Sequence, residues 1–139
     1  MTTGLCLIVA GRLLATLPVT SFTLAWTHSV QKTRWEERYR IDGARLVLER
    51  ARIEGSGAGM EPAPDAVWRD GSWRWTPALP PLRQLRLTAS SFTSDYELCT
   101  EHACRPLQAL TGKLADGTVV VAAPCAAFTP APVAPPARR

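Results

Sequence analysis

Residues 21–41 constrain the fold more than any other part of the chain, because side chains alternate in character on both sides of a polar turn. Before the turn the even-numbered residues share one face, which is mostly apolar: Phe22, Leu24, Trp26, His28 and Val30. After the turn the odd-numbered residues continue the pattern: Trp35, Glu37, Tyr39 and Ile41. A period of two on both arms predicts an antiparallel β-hairpin at the centre of the fold.

The register of this hairpin is predicted by placing Val30 opposite Trp35. The other pairs then follow by arithmetic: His28 with Glu37, Trp26 with Tyr39, and Leu24 with Ile41. An imidazole and a carboxylate on an inner face need each other as partners, since burying either charge alone is costly. Two interpretations stay open, namely a polar pair that fixes the register and a ligand-binding or acid–base site at a pocket mouth.

Other alternating segments lie between turns rich in glycine, proline and aspartate, at residues 5–9, 13–17, 44–54, 68–75, 82–87, 92–98 and 118–122. Within residues 44–54 the apolar positions change parity between Leu48 and Ala51, which predicts a β-bulge near Glu49 and Arg50. Residues 106–114 are the one place where a helical turn or two is expected. The sequence therefore predicts an all-β fold, an antiparallel β-sandwich or a partly open β-barrel of short strands with little or no helix.

A chain of 139 residues is long enough for one hydrophobic core, and we expect a single all-β domain over residues 1–125. Residues 126–139 contain four prolines and little else that packs in a core, which predicts a Pro/Ala-rich disordered tail. The formal charge of +4 comes from scattered arginines rather than from a basic cluster, so nucleic acid is not a favoured partner.

The first residues do not have the pattern of a targeting segment. They lack a basic start, and Arg12 interrupts a short apolar run, so neither a secretory signal nor a membrane-spanning segment is expected. A cytoplasmic location is the default on this basis, and a periplasmic or membrane-associated one follows if the true start lies upstream.

The four cysteines leave several interpretations open. Cys99 and Cys104 flank a four-residue tip, so they form a disulfide, a thiol pair or plain hairpin packing, or join His102 in a metal cluster that lacks a second knuckle. Cys6 and Cys125 lie in the first and last predicted strands and are close if those strands pair. In a reducing compartment free buried thiols are the default outcome. No metal site and no cofactor are predicted.

A glycine-rich segment follows the central hairpin and contributes five candidate residues: Gly55, Ser56, Gly57, Gly59 and Met60. It lacks the GxxxxGK[ST] spacing of a phosphate-binding loop and opens no helix. One interpretation is a tight crossover in which Met60 fills a gap. The other is a nest of backbone N–H groups that receives an anion with help from Arg50 and Arg52.

Three motifs, WTHSVQKTRWEE, GSGAGMEP and LC-x4-C, together resemble a bacterial family known as domain of unknown function 1850. The resemblance extends over roughly residues 5–125, with Gln31 where the family usually has an acid. Genes of that family are often found beside TRAP transporters of the TAXI type, which import organic acids. The resemblance therefore implies an accessory or ligand-binding role in solute uptake.

From these patterns we expect a non-enzymatic module that binds a small anionic ligand, such as an organic acid, or a TRAP/TAXI transporter component. One alternative is a small hydrolase or lyase that uses His28 and Glu37, and another is a structural protein–protein adaptor with an aromatic docking face. The candidate binding residues are His28, Ser29, Lys32, Trp35, Glu36, Glu37, Gly55, Ser56, Gly57, Gly59 and Met60.

Overall fold

The structure is a computed structural model that describes residues 3–27, 33–55 and 64–128. Its strands are β1 (Leu5–Val9), β2 (Arg12–Leu17), β3 (Ser21–Thr27), β4 (Arg34–Asp42), β5 (Arg45–Glu54), β6 (Val67–Arg69), β7 (Ser72–Trp75), β8 (Leu85–Thr88), β9 (Glu97–Cys99), β10 (Cys104–Pro106) and β11 (Val119–Pro124). One short helix, α1, covers Leu107–Thr111, and a 3-10 turn covers Cys125–Ala127.

The strands form two antiparallel sheets. The large sheet has the order β10-β9-β3-β4-β5-β7-β6, and the small sheet has the order β2-β1-β11-β8. One apolar core draws side chains from both sheets and from α1: Leu5, Leu7, Phe22, Leu24, Tyr39, Leu46, Leu48, Leu87, Leu98, Leu107, Val120 and Ala122. Each large apolar side chain buried there contributes about 2 kcal/mol. The predicted all-β, sandwich-like fold is confirmed, and the described strands close no barrel.

The central hairpin is present, but the predicted register is wrong. In β3 and β4 Trp26 pairs with Trp35, and Leu24 pairs with Glu37. Every described pair of this hairpin is therefore displaced from its predicted partner by an even number of residues. Such a displacement leaves each side chain on its expected face while changing its partner. Leu24, not His28, is the partner of Glu37 on β3.

The predicted bulge in β5 is confirmed. Arg38 pairs with Arg50 and Tyr39 pairs with Leu48, so Glu49 is the extra residue on β5. As a result the apolar residues on both sides of the bulge are buried: Leu46, Leu48, Ala51 and Ile53. The same change of parity turns Arg50 and Arg52 to the outer face of the large sheet.

The remaining elements agree with the sequence at most places. The hairpins β1–β2 and β6–β7 and the strand β11 form as expected, and α1 falls within residues 106–114. Leu82 contributes an isolated bridge to Leu46 rather than a continuous strand. The strand predicted over residues 92–98 is wrong for its first part, since only Glu97–Cys99 is extended and paired there. Hydroxyl-bearing residues near its start make other hydrogen bonds instead: the Ser91 hydroxyl donates to Asp116, and the Phe92 amide donates to the Ser90 hydroxyl.

Both pairs of cysteines form disulfides, Cys6 with Cys125 and Cys99 with Cys104. The expectation of free thiols is therefore wrong. β1 and β11 are neighbours in the small sheet, which brings the first of these pairs together. Cys99 and Cys104 are directly opposite in the β9–β10 hairpin. None of the helices in the described ranges is long and apolar enough to cross a membrane.

Candidate anion-binding site on the large sheet

The outer face of the large sheet is charged. Even-numbered residues of β4 point away from the core, and past the bulge the even-numbered residues of β5 do the same. The register then places Glu36 beside Arg52 and Arg52 beside Arg74 in one row across β4, β5 and β7. Cross-strand neighbours on one face lie close enough for their side chains to interact.

Several members of this face are joined by ion pairs. The guanidinium of Arg52 donates to the Glu36 carboxylate and lies 3.6 Å from Glu54. Arg34 donates to Glu97 at 2.7 Å, a hydrogen bond that is the main cause of its raised pKa. These contacts fix the orientation of Glu36 and Arg52, because each side chain is held from two directions.

Beside this network a shallow concave site of about 250 Å³ is lined by Thr23, Glu36, Arg38, Arg50, Arg52 and Arg74. Four guanidinium groups thus share one depression with a single carboxylate. Each guanidinium presents a planar fork of N–H donors that matches the two oxygens of a carboxylate. The arrangement is therefore suited to binding an anion.

Two of the four arginines keep most of their donors available. Arg50 is exposed and forms no ion pair with any residue in the described ranges. Arg74 donates from Nε to the hydroxyl of Ser72 at 3.2 Å, which leaves its terminal nitrogens without a described acceptor. Ser72 is fully buried and also accepts from Arg52 Nε at 3.0 Å, so it holds both guanidinium groups in place. The donors of Arg50 and Arg74 are therefore the ones in this depression without a described acceptor.

The inner face of the same strands carries Glu37, in a different environment. Tyr39 donates its hydroxyl to Glu37 at 2.9 Å. Burial raises the pKa of Glu37 above its usual value, and this hydrogen bond lowers it in part. Burial is also the main cause that raises the pKa of Tyr39, followed by the nearby Glu37 charge. Among the described residues, the partner of Glu37 is the phenol of Tyr39 and not a cation. This part of the inner face therefore lacks a described positive charge that would attract an anion.

Aromatic side chains form a row along one end of the inner face. Trp26 stacks on Trp35 with ring centroids 6.0 Å apart, and Tyr96 lies 6.3 Å from Trp26. Beyond Ile53, which pairs with both Trp35 and Trp73, the row continues to Trp68, whose ring is 5.3 Å from that of Trp73. Aromatic pairs at such separations stabilise a sheet beyond the area that they bury. The row accounts for four of the five tryptophans.

Two described residues of the sequence motifs, Thr33 and Gly55, lie close together at this end of the large sheet. A Cβ atom placed on Gly55 would lie 3.7 Å from the methyl carbon of Thr33. Gly55 has a φ of +76°, which favours glycine, and its N–H donates to the Gly71 carbonyl at 2.9 Å.

The candidate residues predicted from the sequence fall into two groups. Trp35 and Glu37 lie on the inner face, Glu36 lies on the outer face, and Gly55 lies at the end of β5. The others lie outside the described residues: His28, Ser29, Lys32, Ser56, Gly57, Gly59 and Met60. The predicted cross-strand pairing of His28 with Glu37 is wrong, because Leu24 occupies that position. The hydrolase or lyase hypothesis used His28 together with Glu37, and His28 lies outside the described residues.

Sequence reasoning did not include Arg38 and Arg74 in the candidate set. The parity of β4 was a usable signal for Arg38, since it lies on the same face as Glu36. Arg74 was missed because Trp73 and Trp75, on either side of it, indicate an apolar face of β7, and no local pattern assigns a role to the residue between them. Only the pairing of β5 with β7 reveals that Arg74 is adjacent to Arg52.

The metal hypothesis for the β9–β10 hairpin is also wrong, because Cys99 and Cys104 form a disulfide and have no thiolate to offer. Within the described part of the chain no group of three or more histidine, cysteine, aspartate or glutamate residues is placed to hold a metal ion.

Residues 22–107 match the model of a protein family described as a domain of unknown function, DUF1850. The match covers more than half of the chain and contains every residue that lines the anion site. No curated protein and no solved structure matches the chain significantly.

Proposed function

This chain belongs to the DUF1850 family, and we propose that it is a non-enzymatic module that binds a small organic anion on the outer face of its large sheet. The observation that carries the proposal is the convergence of four arginines on one concave site beside a single carboxylate, Glu36. Arg52 and Glu36 form its fixed part, and Arg50 and Arg74 supply free donors.

The chemistry of the site favours a dicarboxylate over a single carboxylate. Each guanidinium fork matches the two oxygens of one carboxylate, so a ligand with two carboxylates can engage both Arg50 on β5 and Arg74 on β7 in bidentate fashion. The site is open to solvent, and ion pairs in such positions are screened by salt. We therefore expect modest affinity that falls as the ionic strength rises.

An implication of the family resemblance and one structural feature favour a role next to an organic-acid transporter. The family resemblance implies gene neighbourhoods with TRAP transporters of the TAXI type. The two disulfides are typical of proteins that work in an oxidising compartment, which in bacteria is the periplasm. A periplasmic module that binds organic anions is consistent with both.

Isothermal titration with succinate and other C4 dicarboxylates tests the proposal directly. We expect Arg50→Ala and Arg74→Ala each to weaken binding by about tenfold, which corresponds to the loss of one charge-assisted hydrogen-bonded pair. Arg12→Ala is the matched control, because Arg12 is an exposed arginine on the small sheet, away from the site. Equal losses in all three variants, or no heat from any dicarboxylate, would show that the arginine cluster is not an anion site.

The pH dependence of binding separates an arginine site from a histidine site. Arginine stays charged throughout the accessible range, whereas histidine loses its charge near pH 6.5. We expect the succinate affinity of the native protein to be constant between pH 6.5 and pH 9. A steep loss of affinity between pH 6 and pH 7.5 would assign binding to His28 rather than to the arginines.

A second candidate function, protein–protein adaptor, is favoured by one observation. The edge strand β6 exposes 61% of Val67 and 48% of Trp68. Apolar side chains on an unpaired edge are a common feature of strands that another chain extends. Retention of a purified TAXI-type permease by the native protein, lost in Val67→Lys, would establish this role; equal retention by both would exclude β6 as the contact.

A further inference from the structure

The outer face of the small sheet has a groove of about 760 Å³ that is unrelated to the arginine site on the large sheet. Its floor is formed by apolar side chains of β1 and β11, namely Ile8, Val121 and Ala123. These side chains belong to a second apolar cluster, separate from the core, that also contains Cys6 and Cys125. Phe128, which follows the 3-10 turn, packs against this second cluster and forms one wall of the groove. A volume of this size is within the range of known small-molecule sites.

The disulfide between Cys6 and Cys125 builds this wall. Cys6 is a buried member of the second cluster, and Cys125 starts the turn that leads to Phe128. The Cys125 amide also donates to the Gly4 carbonyl at 2.9 Å, so the turn is held against β1 by a covalent bond and a hydrogen bond. The groove is therefore a fixed feature of the fold.

The rim of the groove is cationic. Arg45 is the first residue of β5, Arg83 lies in the segment that bridges to β5, and Arg86 lies in β8. Two backbone hydrogen bonds between Leu46 and Leu82, of 2.7 and 2.8 Å, fix that segment beside β5. No described acidic residue lines the groove, and none of the three arginines forms an ion pair with a residue in the described ranges.

These two properties define the chemistry of the ligand. An apolar floor favours a hydrocarbon body, because burial of apolar area is stabilising by about 25 cal/mol per Å². Three exposed, uncompensated guanidinium groups at the rim favour a carboxylate head. The chain's own residues 129–139, which follow Phe128 directly, bring no acidic side chain to these arginines, since their charged side chains are Arg138 and Arg139.

We propose that this groove binds a free carboxylate with a long apolar chain, such as a medium- or long-chain fatty acid. The hydrocarbon lies on Ile8, Val121 and Phe128, and the carboxylate is held by Arg83 and Arg86 at the rim. The site is independent of the dicarboxylate site proposed above, which is entirely polar and lies on the other sheet.

Isothermal titration of the full chain with dodecanoate, dodecanol and acetate tests both parts of the ligand. We expect dodecanoate to bind, dodecanol to bind about tenfold more weakly, and acetate to give no measurable heat. Comparable affinity for dodecanoate and dodecanol would overturn the assigned role of the arginines. Comparable affinity for dodecanoate and acetate would overturn the role of the floor.

Two variants locate the site. Arg86→Ala is expected to weaken dodecanoate binding by about tenfold, and Val121→Trp to abolish it by filling the groove. Arg105→Ala, which removes an exposed arginine on β10 of the large sheet, is the matched control and should leave dodecanoate binding unchanged. Circular dichroism establishes that each variant is folded. Unchanged dodecanoate binding in folded Val121→Trp would overturn the proposal.

Vesicles of anionic phospholipid separate a free ligand from a membrane surface. The proposal predicts that dodecanoate binds in the absence of any vesicle and that the protein does not sediment with vesicles at physiological salt. Sedimentation with vesicles, combined with no heat from free dodecanoate, would assign the groove to a membrane surface and overturn it. Succinate binding is measured on the same variants. A negative result with dodecanoate therefore does not affect the test of the dicarboxylate site.

Discussion

The outer faces of the two sheets differ in chemical character. Exposed faces of antiparallel sheets are normally polar. The large sheet follows this rule with a network of arginine and glutamate side chains. The small sheet departs from it, with an apolar cluster that a disulfide-bound turn covers only in part. Most charged side chains on the outer face of the large sheet are therefore paired with one another. The apolar cluster on the outer face of the small sheet is only partly covered by other residues of the chain.

Two arginines of the large sheet, Arg34 and Arg52, differ in the same sense from the arginines at the rim of the groove. On the large sheet Arg34 and Arg52 are less than one-third exposed and held by carboxylates. On the small sheet's rim Arg45, Arg83 and Arg86 are exposed and have no described acidic partner. Paired arginines stabilise a fold, while unpaired arginines beside an apolar surface are available to a ligand.

The largest expected effect concerns the disulfide that completes the small sheet's face. Replacing Cys6 and Cys125 together by serine opens a loop with a sequence separation of 119, against 5 for Cys99 and Cys104. The chain-entropy relation gives losses of about 5 kcal/mol and about 2 kcal/mol respectively. Urea denaturation of the two double variants measures the difference. Equal losses would mean that the small sheet does not depend on its covalent closure.

An intermediate effect is expected from breaking one arginine contact on each face. Arg52→Ala leaves Glu36, which is 21% exposed, without its main partner and should lower the free energy of unfolding by about 1–2 kcal/mol. Arg86→Ala removes an exposed arginine with no described acidic partner and should change it by less than about 0.5 kcal/mol. Thermal denaturation of both variants without ligand checks this order, and a larger loss for Arg86→Ala would contradict the contrast between the faces.

The smallest expected effect on the free energy of unfolding concerns Glu37, on the inner face of the large sheet. Because the pKa of Glu37 is raised, the folded state favours the protonated form of this group. The contribution of Glu37 to the free energy of unfolding is therefore present at acid pH and lost as the pH rises. Glu37→Gln keeps an acceptor for Tyr39 and should therefore raise the free energy of unfolding at pH 7, by less than about 1 kcal/mol. The advantage over the native protein should shrink towards pH 4. Urea denaturation at both values checks the sign, and an advantage that grows at acid pH would contradict it.

Local patterns in the sequence were sufficient for the faces of the strands but not for their partners. The change of parity between Leu48 and Ala51 predicted the bulge at Glu49, because only a bulge lets both residues reach the core. The register of β3 and β4 was not predictable in this way. Displacing it by an even number of residues leaves the same side chains inside, so the alternation of Trp26 and Trp35 cannot distinguish the two registers.

The candidate sites depend on contacts that are distant in sequence, which explains why they were found only in part. Glu36, Arg50 and Arg52 were singled out from the sequence because they lie in or near the motifs. Arg74 joins them only through the pairing of β5 with β7. The groove on the small sheet was not foreseen at all, because β1 and β11 come from opposite ends of the chain.

The bond between Cys6 and Cys125 also has a mechanical consequence. Tension applied to the two ends of the chain enters at adjacent strands and crosses the sulfur–sulfur link, so the residues between them lie outside the path of the force. A protease that cuts one exposed loop inside this ring leaves two fragments that stay covalently joined. The disulfide therefore keeps the first and last strands covalently joined after such a cut.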